Sequence, residues 1–208
     1  MASLSGVSSV GHVFAVYAES FSSDDPLSGL VVGERPDPEV PDGWTTVDVK
    51  AASLNHHDLW SLRGVGLREE QLPMILGCDA AGLDEDGNEV VVHAVISSEG
   101  WSGDETFDPK RSLLSERHQG TFAAKVAVPR RNVVPKPASL SFAEAACLPT
   151  AWLTAYRMLT TRGRLREGDS VLVQGAGGGV ATAAVVLAQA LGARVYATSR
   201  DAELLRIE

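Results

Sequence analysis

Two scarcities in this chain exclude whole classes of protein. Only two cysteines occur in 208 residues, Cys78 and Cys147, and their wide separation excludes a C-x-x-C metal knuckle and fits a reducing compartment.

Basic residues are also few: 18 lysines and arginines stand against 27 aspartates and glutamates, and the net charge of −9 repels nucleic acid and anionic membrane surfaces. No apolar run is long enough to span a bilayer, and residues 1–11 lack the basic segment of a secretion signal. We therefore expect a cytoplasmic protein without a nucleic-acid or membrane partner.

Residues 170–200 carry the strongest functional pattern. An apolar run at residues 171–173 predicts a buried parallel strand, and residues 194–198 predict a second one. Between them, an alanine-rich stretch at residues 180–191 predicts a helix that ends at Gly192. Glycines without a Cβ let a turn approach a pyrophosphate closely, and a helix N-terminus favours an anion. The pattern predicts a dinucleotide-binding site formed by Gly175, Gly177, Gly178, Gly179 and Val180.

The residues after the second strand bear on the choice of coenzyme. An NAD site usually places a carboxylate there to hold the ribose hydroxyls, and a carboxylate would repel the 2′-phosphate of NADP. Ser199 stands at this position, followed by Arg200, which can contact a phosphate or remain a solvated surface residue. The sequence therefore favours NADP(H), with NAD(H) as the less favoured coenzyme.

The preceding residues indicate a mostly β domain, rich in glycine, proline and short alternating runs. Strands are predicted at residues 13–17, 46–51, 89–95 and 121–128, and a polar loop at residues 97–117. Ser141 and Glu144 form an S-x-x-E capping box, which predicts a helix from Phe142 toward Cys147. Pro149 is expected to interrupt this helix before it resumes at residues 153–161.

Four motifs occur together with the glycine turn: ASLNHHDL at residues 52–59, LPMILGCDAAG at 72–82, GTFA at 120–123 and AACLPTAWLTAY at 145–156. In these motifs the chain resembles the medium-chain dehydrogenase/reductase superfamily, in the branch of zinc-type alcohol dehydrogenase-like proteins and quinone oxidoreductases. The resemblance implies an α/β fold. A GroES-like, mostly β catalytic domain at residues 1–145 would be followed by an incomplete Rossmann dinucleotide-binding domain at residues 146–208, with hydride transfer in the cleft between them.

The predicted nucleotide domain is short. A complete doubly wound domain has about six strands, whereas only two strands and one helix are predicted before Glu208. We therefore expect an N-terminal portion of a longer enzyme or a truncated product, with an exposed parallel strand edge. Because similar proteins commonly dimerise through the edge of the nucleotide domain, the resemblance also implies a homodimer.

The resemblance also bears on zinc. Zinc-dependent relatives place their ligands where this chain has Asn55, Cys78 and a residue near Thr150, and Asp79 replaces the glutamate that follows the histidine. Asparagine and threonine are poor zinc ligands, so no catalytic zinc is expected. A remodelled metal site made from His56 or His57 with Cys78 and Asp79 stays open as an alternative.

Two residues are candidates for catalysis. By resemblance to zinc-free relatives, Asn55 lies near the nicotinamide and the substrate, where its amide would hydrogen-bond the carbonyl; alternatively it caps the next helix. His57 would relay a proton at neutral pH, or is a packing residue. Thr154 is a candidate cofactor contact, because it lies in a segment that resembles the one passing the nicotinamide.

These observations predict an NADP(H)-dependent, zinc-independent oxidoreductase that transfers a hydride to or from a small-molecule quinone, enone, carbonyl or alcohol. The alternative is a truncated, non-catalytic nucleotide-binding or interaction module that kept the scaffold alone.

Overall fold

The computed structural model describes residues 11–200. The chain divides into two compact units, with the boundary between Ala145 and Ala146, and each unit is described by itself. Across the described residues, no helix is both long enough and apolar enough to cross a lipid bilayer.

The first unit is built mostly from β-strands. Its strands are β1 (His12–Ala18), β2 (Leu30–Pro36), β3 (Trp44–Ser53), β4 (Met74–Ile75), β5 (Asp79–Asp84), β6 (Glu89–Val92), β7 (Val95–Ile96), β8 (Ser112–Leu113), β9 (Lys125–Pro129) and β10 (Val133–Pro135). Its helices are α1 (His56–Leu62) and α2 (Phe142–Ala146), the latter ending at the boundary. Short 3-10 turns occur at Pro26–Gly29, Glu69–Gln71, Glu105–Phe107 and Arg130–Asn132.

The strands of the first unit form a five-stranded sheet in the order β10-β6-β5-β3-β9, a three-stranded sheet in the order β2-β1-β4, and the pair β7-β8. All of these pairs are antiparallel. The five-stranded sheet buries one face, because Val47 is fully buried on β3 while its neighbour Asp48 is exposed. The main core of this unit contains Val47, Val92, Leu114, Val126 and Val128.

Several strand predictions are confirmed, and others need correction. Residues 13–17 lie within β1 and residues 46–51 within β3. The strand predicted at residues 89–95 is divided into β6 and β7, and at the break the side-chain Nδ2 of Asn132 donates to the carbonyls of His93 and Val95. The strand predicted at residues 121–128 begins only at Lys125. The predicted loop at residues 97–117 contains β8 and a 3-10 turn.

The second unit begins with helical turns of unequal width. A π-helical stretch at Leu148–Trp152 leads into α3 (Leu153–Arg157), and a second one follows at Met158–Arg162. The predicted interruption of the α-helix at Pro149 is confirmed: α2 ends at Ala146, the π-helical stretch contains Pro149, and the α-helix resumes at Leu153. The capping box before α2 is confirmed, since the Ser141 amide donates to Glu144 Oε2 at 2.8 Å and the Glu144 amide to Ser141 Oγ at 3.3 Å.

A β-α-β unit follows, made of β11 (Ser170–Gln174), α4 (Gly179–Ala190) and β12 (Arg194–Thr198). The two strands pair in parallel, and α4 buries Ala183, Val185 and Ala188. Gly192 has a φ of +77° after α4, as its predicted role as a helix stop requires. The predicted order of strand, glycine turn, helix and parallel strand is confirmed. The predicted burial of the first strand is wrong, because Leu172 is 60% exposed and only Val173 of β11 is buried.

Candidate active site

The glycine turn between β11 and α4 presents unused backbone amides. Gly178 is the N-cap of α4 and has no side chain that caps the helix. Within the described part of the chain, the amides of Gly177, Gly179 and Val180 have no hydrogen-bond acceptor, as the first turn of a helix leaves its donors unpaired. Three N–H groups at a positive helix end form a site suited to an anion.

Among the described residues, the space beside Gly175 and Gly178 is open. A Cβ atom built on Gly175 would meet no heavy atom within 4 Å, and one on Gly178 would meet only the Gly175 carbonyl oxygen, at 3.6 Å. Gly175 also has a φ of +73°, which L side chains rarely adopt. The turn therefore fits a diphosphate group, since it offers both open space and unpaired donors.

The predicted coenzyme residues of the second unit lie close to this turn or on elements packed against its helix. The amides of Gly175 and Ala176 both donate to the carbonyl of Thr198 at 3.0 Å, which holds the end of β12 against the turn. Ser199 is half-buried and Arg200 is exposed directly after it. Thr154 is exposed on α3, and α3 packs against α4.

In the first unit, Asn55 lies at the N-cap of α1 and takes part in a network of two carboxylates. Its side-chain Nδ2 donates to Asp79 Oδ2 at 2.8 Å, and Ser53 Oγ donates to the same oxygen at 2.7 Å. Asp58 Oδ2 accepts from the Asn55 amide at 2.7 Å, and its Oδ1 accepts from the Gly77 amide at 3.2 Å. Burial raises the pKa of Asp58 above its usual value, although these two amide bonds oppose the shift.

Two of the sequence motifs meet behind this network. The Thr121 amide donates to the Gly77 carbonyl at 3.0 Å, and Thr121 Oγ1 donates to the Asp79 carbonyl at 2.8 Å. Gly77 has a φ of +93°, and a Cβ there would lie 2.4 Å from the ring of Phe122. Glycine at position 77 is thus required by both its backbone conformation and the close approach of Phe122.

A largely apolar pocket of about 910 Å³ opens beside Asn55. Its walls include exposed hydrophobic side chains, among them Leu54, which is 86% exposed, and Phe14, which is 61% exposed. Asn55, His56 and Asp58 are its polar or charged lining residues. A ligand with an apolar body and one hydrogen-bonding group suits this lining.

The structure brings His56, rather than the predicted His57, into the pocket of Asn55. His56 packs edge-on against Trp60, with ring centroids 5.5 Å apart. His57 Nδ1 instead lies 3.9 Å from Glu116 Oε1, and its Nε2 is buried without a partner among the described residues. Sequence reasoning gave His56 no catalytic or coenzyme role and did not identify Asp79 as the partner of Asn55.

Cys78 has the chemistry of a buried thiol. Its Sγ donates to the carbonyl of Leu114 at 3.5 Å, and burial, with the nearby carboxylates of Asp58, Asp79 and Glu116, raises its pKa far above the usual value. Over residues 11–200, no group of three or more histidine, cysteine, aspartate or glutamate side chains is arranged to hold a metal ion. The structure therefore does not assemble the alternative metal site at positions 56, 57, 78 and 79.

The first unit is mostly β, with a polar network at the start of its first helix, and a β-α-β unit of the dinucleotide-binding type follows it. Similarity to known proteins identifies the family to which this fold belongs. Residues 41–138 match the family model of the alcohol dehydrogenase GroES-like domain.

Three similar proteins extend this comparison over more of the chain. A zinc-type alcohol dehydrogenase-like protein of Schizosaccharomyces pombe is 34% identical over 197 residues, which cover 87% of this chain and 56% of that protein. The lovastatin diketide synthase of Monascus pilosus is 33% identical over 161 residues, covering 77% of this chain and 6% of the synthase. A crystal structure of an NAD-dependent alcohol dehydrogenase superposes with a TM-score of 0.84 at 36% identity, covering 93% of this chain and 60% of that one.

The chain belongs to the medium-chain dehydrogenase/reductase superfamily, in the zinc-type alcohol dehydrogenase-like and quinone oxidoreductase branch. It spans 60% or less of the length of the three proteins compared.

Proposed function

We propose that this protein is an NADP(H)-dependent oxidoreductase that transfers a hydride to or from a quinone, enone, carbonyl or alcohol with an apolar body. The observation that carries the proposal is the glycine turn at the start of α4, where the amides of Gly177, Gly179 and Val180 have no acceptor among the described residues and a Cβ on Gly175 would meet no atom within 4 Å. The similarity to an NAD-dependent alcohol dehydrogenase and to a zinc-type alcohol dehydrogenase-like protein supports oxidoreductase chemistry.

The proposed coenzyme contacts belong to the second unit, and the proposed hydrogen-bond donor to the substrate belongs to the first. Gly175, Gly177, Gly178, Gly179 and Val180 hold the coenzyme diphosphate through backbone contacts, and Thr154 is a further proposed coenzyme contact. The coenzyme, when bound, supplies the hydride. Asn55 donates a hydrogen bond from Nδ2 to the substrate oxygen, where negative charge develops during reduction. The apolar walls of its pocket exclude water and so strengthen that bond.

The preference for NADP(H) over NAD(H) rests on the residues that follow β12. Ser199 carries no negative charge toward a 2′-phosphate, and the exposed Arg200 beside it is free to turn its guanidinium toward one. Asp201, which follows, lies outside the described residues. The solved relative is named as NAD-dependent, so coenzyme choice is a property of this chain that has to be measured.

The proposed reaction does not use zinc, because the donor set does not fit a zinc ion. Asn55 is already engaged with Asp79, and Cys78 is a protonated thiol that donates to a backbone carbonyl. A zinc ligand must instead be a thiolate, a neutral imidazole or a carboxylate with an open position left for substrate.

His57 remains a predicted proton relay, which on this geometry would run through Glu116. We further propose that the protein acts in the cytoplasm, in keeping with its acidic composition and its content of only two cysteines. We also propose that two copies of this protein form a homodimer.

Coenzyme binding and turnover test these proposals separately. Isothermal titration should give a lower dissociation constant for NADPH than for NADH. NADPH oxidation should then be followed spectroscopically with a panel of quinones, enones and aldehydes, with and without a chelator. Turnover that survives the chelator supports the zinc-independent enzyme, and chelator-sensitive turnover contradicts it. NADPH binding with no turnover across the panel would instead support the non-catalytic nucleotide-binding module.

A further inference from the structure

The carboxylate of Asp79 is the most deeply buried charged group of the Asn55 network. Asp79 is 0% exposed and begins β5, beneath the start of α1. Its Oδ2 accepts from Asn55 Nδ2 at 2.8 Å and from Ser53 Oγ at 2.7 Å. Buried carboxylates are rare unless their hydrogen bonds serve a structural or functional end.

This contact decides which end of the Asn55 amide faces Asp79. An asparagine side chain has a donating nitrogen and an accepting oxygen of nearly equal size, so packing alone does not choose between its two orientations. A carboxylate accepts hydrogen bonds and does not donate them. Turning the amide over would place Oδ1 against Asp79 Oδ2, two acceptors in contact, and the orientation with Nδ2 toward Asp79 is therefore selected.

The second hydrogen on Nδ2 is then fixed as well. The amide group is planar, so once one N–H is directed at Asp79 the other has a single direction in the same plane. Asn55 lines the apolar pocket, where no other lining residue except His56 and Asp58 carries a polar side chain. Asp58 is occupied with the backbone amides of Asn55 and Gly77. A donor whose direction is set before the substrate arrives stabilises developing charge without reorganisation.

We propose that Asp79 is a positioning residue that holds the Asn55 amide with its nitrogen, rather than its oxygen, available to the substrate. This inference rests on the proposed function, because it assigns Asn55 as the donor to the reacting oxygen. Asp79 itself does not touch the substrate.

Ser53 offers a matched control. Its hydroxyl donates to the same oxygen of Asp79 and not to Asn55, so Ser53→Ala removes one hydrogen bond of the network and leaves the Asn55–Asp79 bond in place. Asp79→Asn keeps nearly the same shape while giving position 79 a donor, so that both orientations of the Asn55 amide become possible.

The test compares the full chain with its Asp79→Asn and Ser53→Ala variants by two measurements. The first is the ¹H–¹⁵N spectrum of the Asn55 side-chain amide, assigned by its loss in Asn55→Ser. The second is steady-state reduction of the best substrate of the panel. We expect Asp79→Asn to move or broaden the signals of the Asn55 side-chain amide. It should also lower kcat about tenfold or more, because removing one preorganised hydrogen-bond donor from an enzyme active site has an effect of at least this size. KM should change less than about twofold. Ser53→Ala should preserve both the signals and kcat.

Unchanged Asn55 signals in Asp79→Asn would overturn the proposal. Equal losses of kcat in Asp79→Asn and Ser53→Ala would also overturn it, because a general loss of packing around the network would then explain both. Thermal unfolding of both variants shows that each one folds. If the wild type turns over no substrate, the proposed function fails, while the amide spectrum still decides whether Asp79 orients Asn55.

Discussion

The backbone amide of Gly175 donates to the carbonyl oxygen of Thr198 across 3.0 Å. This bond joins the glycine turn after β11 to the last residue of β12, and Ala176 donates to the same oxygen. The proposed contacts of the diphosphate and of the adenosine ribose are therefore held in a fixed relation by the backbone itself. Ser199 and Arg200 follow this anchor directly.

The two ends of the glycine turn should respond differently to a methyl group. Gly175→Ala places a Cβ on a residue with a φ of +73°, which costs about 1–2 kcal/mol and should lower the free energy of unfolding by that amount. Gly178 has a φ of −88°, and its added Cβ meets only the Gly175 carbonyl oxygen at 3.6 Å, so Gly178→Ala should cost less stability than Gly175→Ala, through the weaker N-cap preference of alanine alone. If the diphosphate lies against the turn, Gly178→Ala should still weaken NADPH binding. Urea unfolding and calorimetric titration measure the two effects, and full NADPH affinity in Gly178→Ala would contradict this location.

A carboxylate at position 199 should shift coenzyme choice toward NADH. Ser199→Asp places a negative charge where we propose the 2′-phosphate to lie, and two such charges about 4 Å apart repel by roughly 4 kcal/mol at an effective dielectric of 20. Solvent will reduce this figure, so we expect NADPH affinity to fall about tenfold or more while NADH affinity holds or improves. Ser199→Asn is the neutral control and should retain the NADPH preference. Equal losses for both coenzymes in Ser199→Asp would argue against a phosphate contact here.

The sequence predicted those parts of the fold that depend on local chemistry. Gly175 and Gly192 adopt the positive φ values that their lack of a Cβ suggested, and Ser141 and Glu144 form their box because its partners lie three residues apart. The strand prediction at residues 121–128 was wrong over its first half because the amides of Thr121 and Phe122 bond to Gly77 and Leu76, a pairing that no short window of sequence contains.

In the candidate site, too, the sequence predicted what depends on neighbouring residues and missed what depends on residues far apart in the chain. Asn55 was identified through its motif, but its partner Asp79 lies 24 residues away in sequence and is brought close by the pairing of β3 with β5. His56 and His57 cannot be told apart by residue type. Which of them lines the pocket depends on the rotation of α1, which begins at His56.

The two histidines should therefore differ when each is replaced by glutamine. We expect His56→Gln to change KM or kcat for carbonyl substrates at least threefold, because His56 lines the pocket of Asn55. His57→Gln should reduce kcat if a relay through Glu116 operates, and otherwise should change only stability. Steady-state kinetics from pH 6 to 9 separates these outcomes. A His57→Gln variant with wild-type kinetics at every pH would remove His57 from the proposed mechanism.

The two cysteines should react at very different rates. Cys147 is exposed and Cys78 is buried, and burial with nearby carboxylates keeps the Cys78 thiol protonated, whereas the thiolate is the reactive form. A disulfide reagent should modify one thiol per native chain rapidly and the second only after unfolding. Cys147→Ser should abolish the fast phase, and Cys78→Ala should leave it intact. Rapid reaction of two thiols in the native protein would show that Cys78 is accessible.

His118 should make the fold sensitive to acid. Its ring accepts or donates a hydrogen bond with Ser112 Oγ at 2.9 Å and packs against Trp44 with centroids 5.0 Å apart. Burial, and to a lesser degree the charge of Arg117, lowers the pKa of His118 below its usual value. The unfolded chain therefore binds a proton at His118 more readily than the folded one. Stability is then fully present above the unfolded pKa, near 6.5, and is lost as the pH falls toward the folded pKa.

Replacing the imidazole should remove this part of the pH dependence. His118→Gln keeps a group that can bond to Ser112 but cannot gain a proton, so its free energy of unfolding should fall less than that of the wild type between pH 8 and pH 5. The difference is bounded by about 1.4 kcal/mol for each unit by which the pKa is lowered, and partial exposure of the ring reduces it. Arg117→Gln should act in the same direction more weakly, because it removes only the repulsion by a neighbouring cation. Urea unfolding at both pH values measures the slopes, and identical slopes in wild type and His118→Gln would show that the folded protein accepts the proton at His118 without penalty.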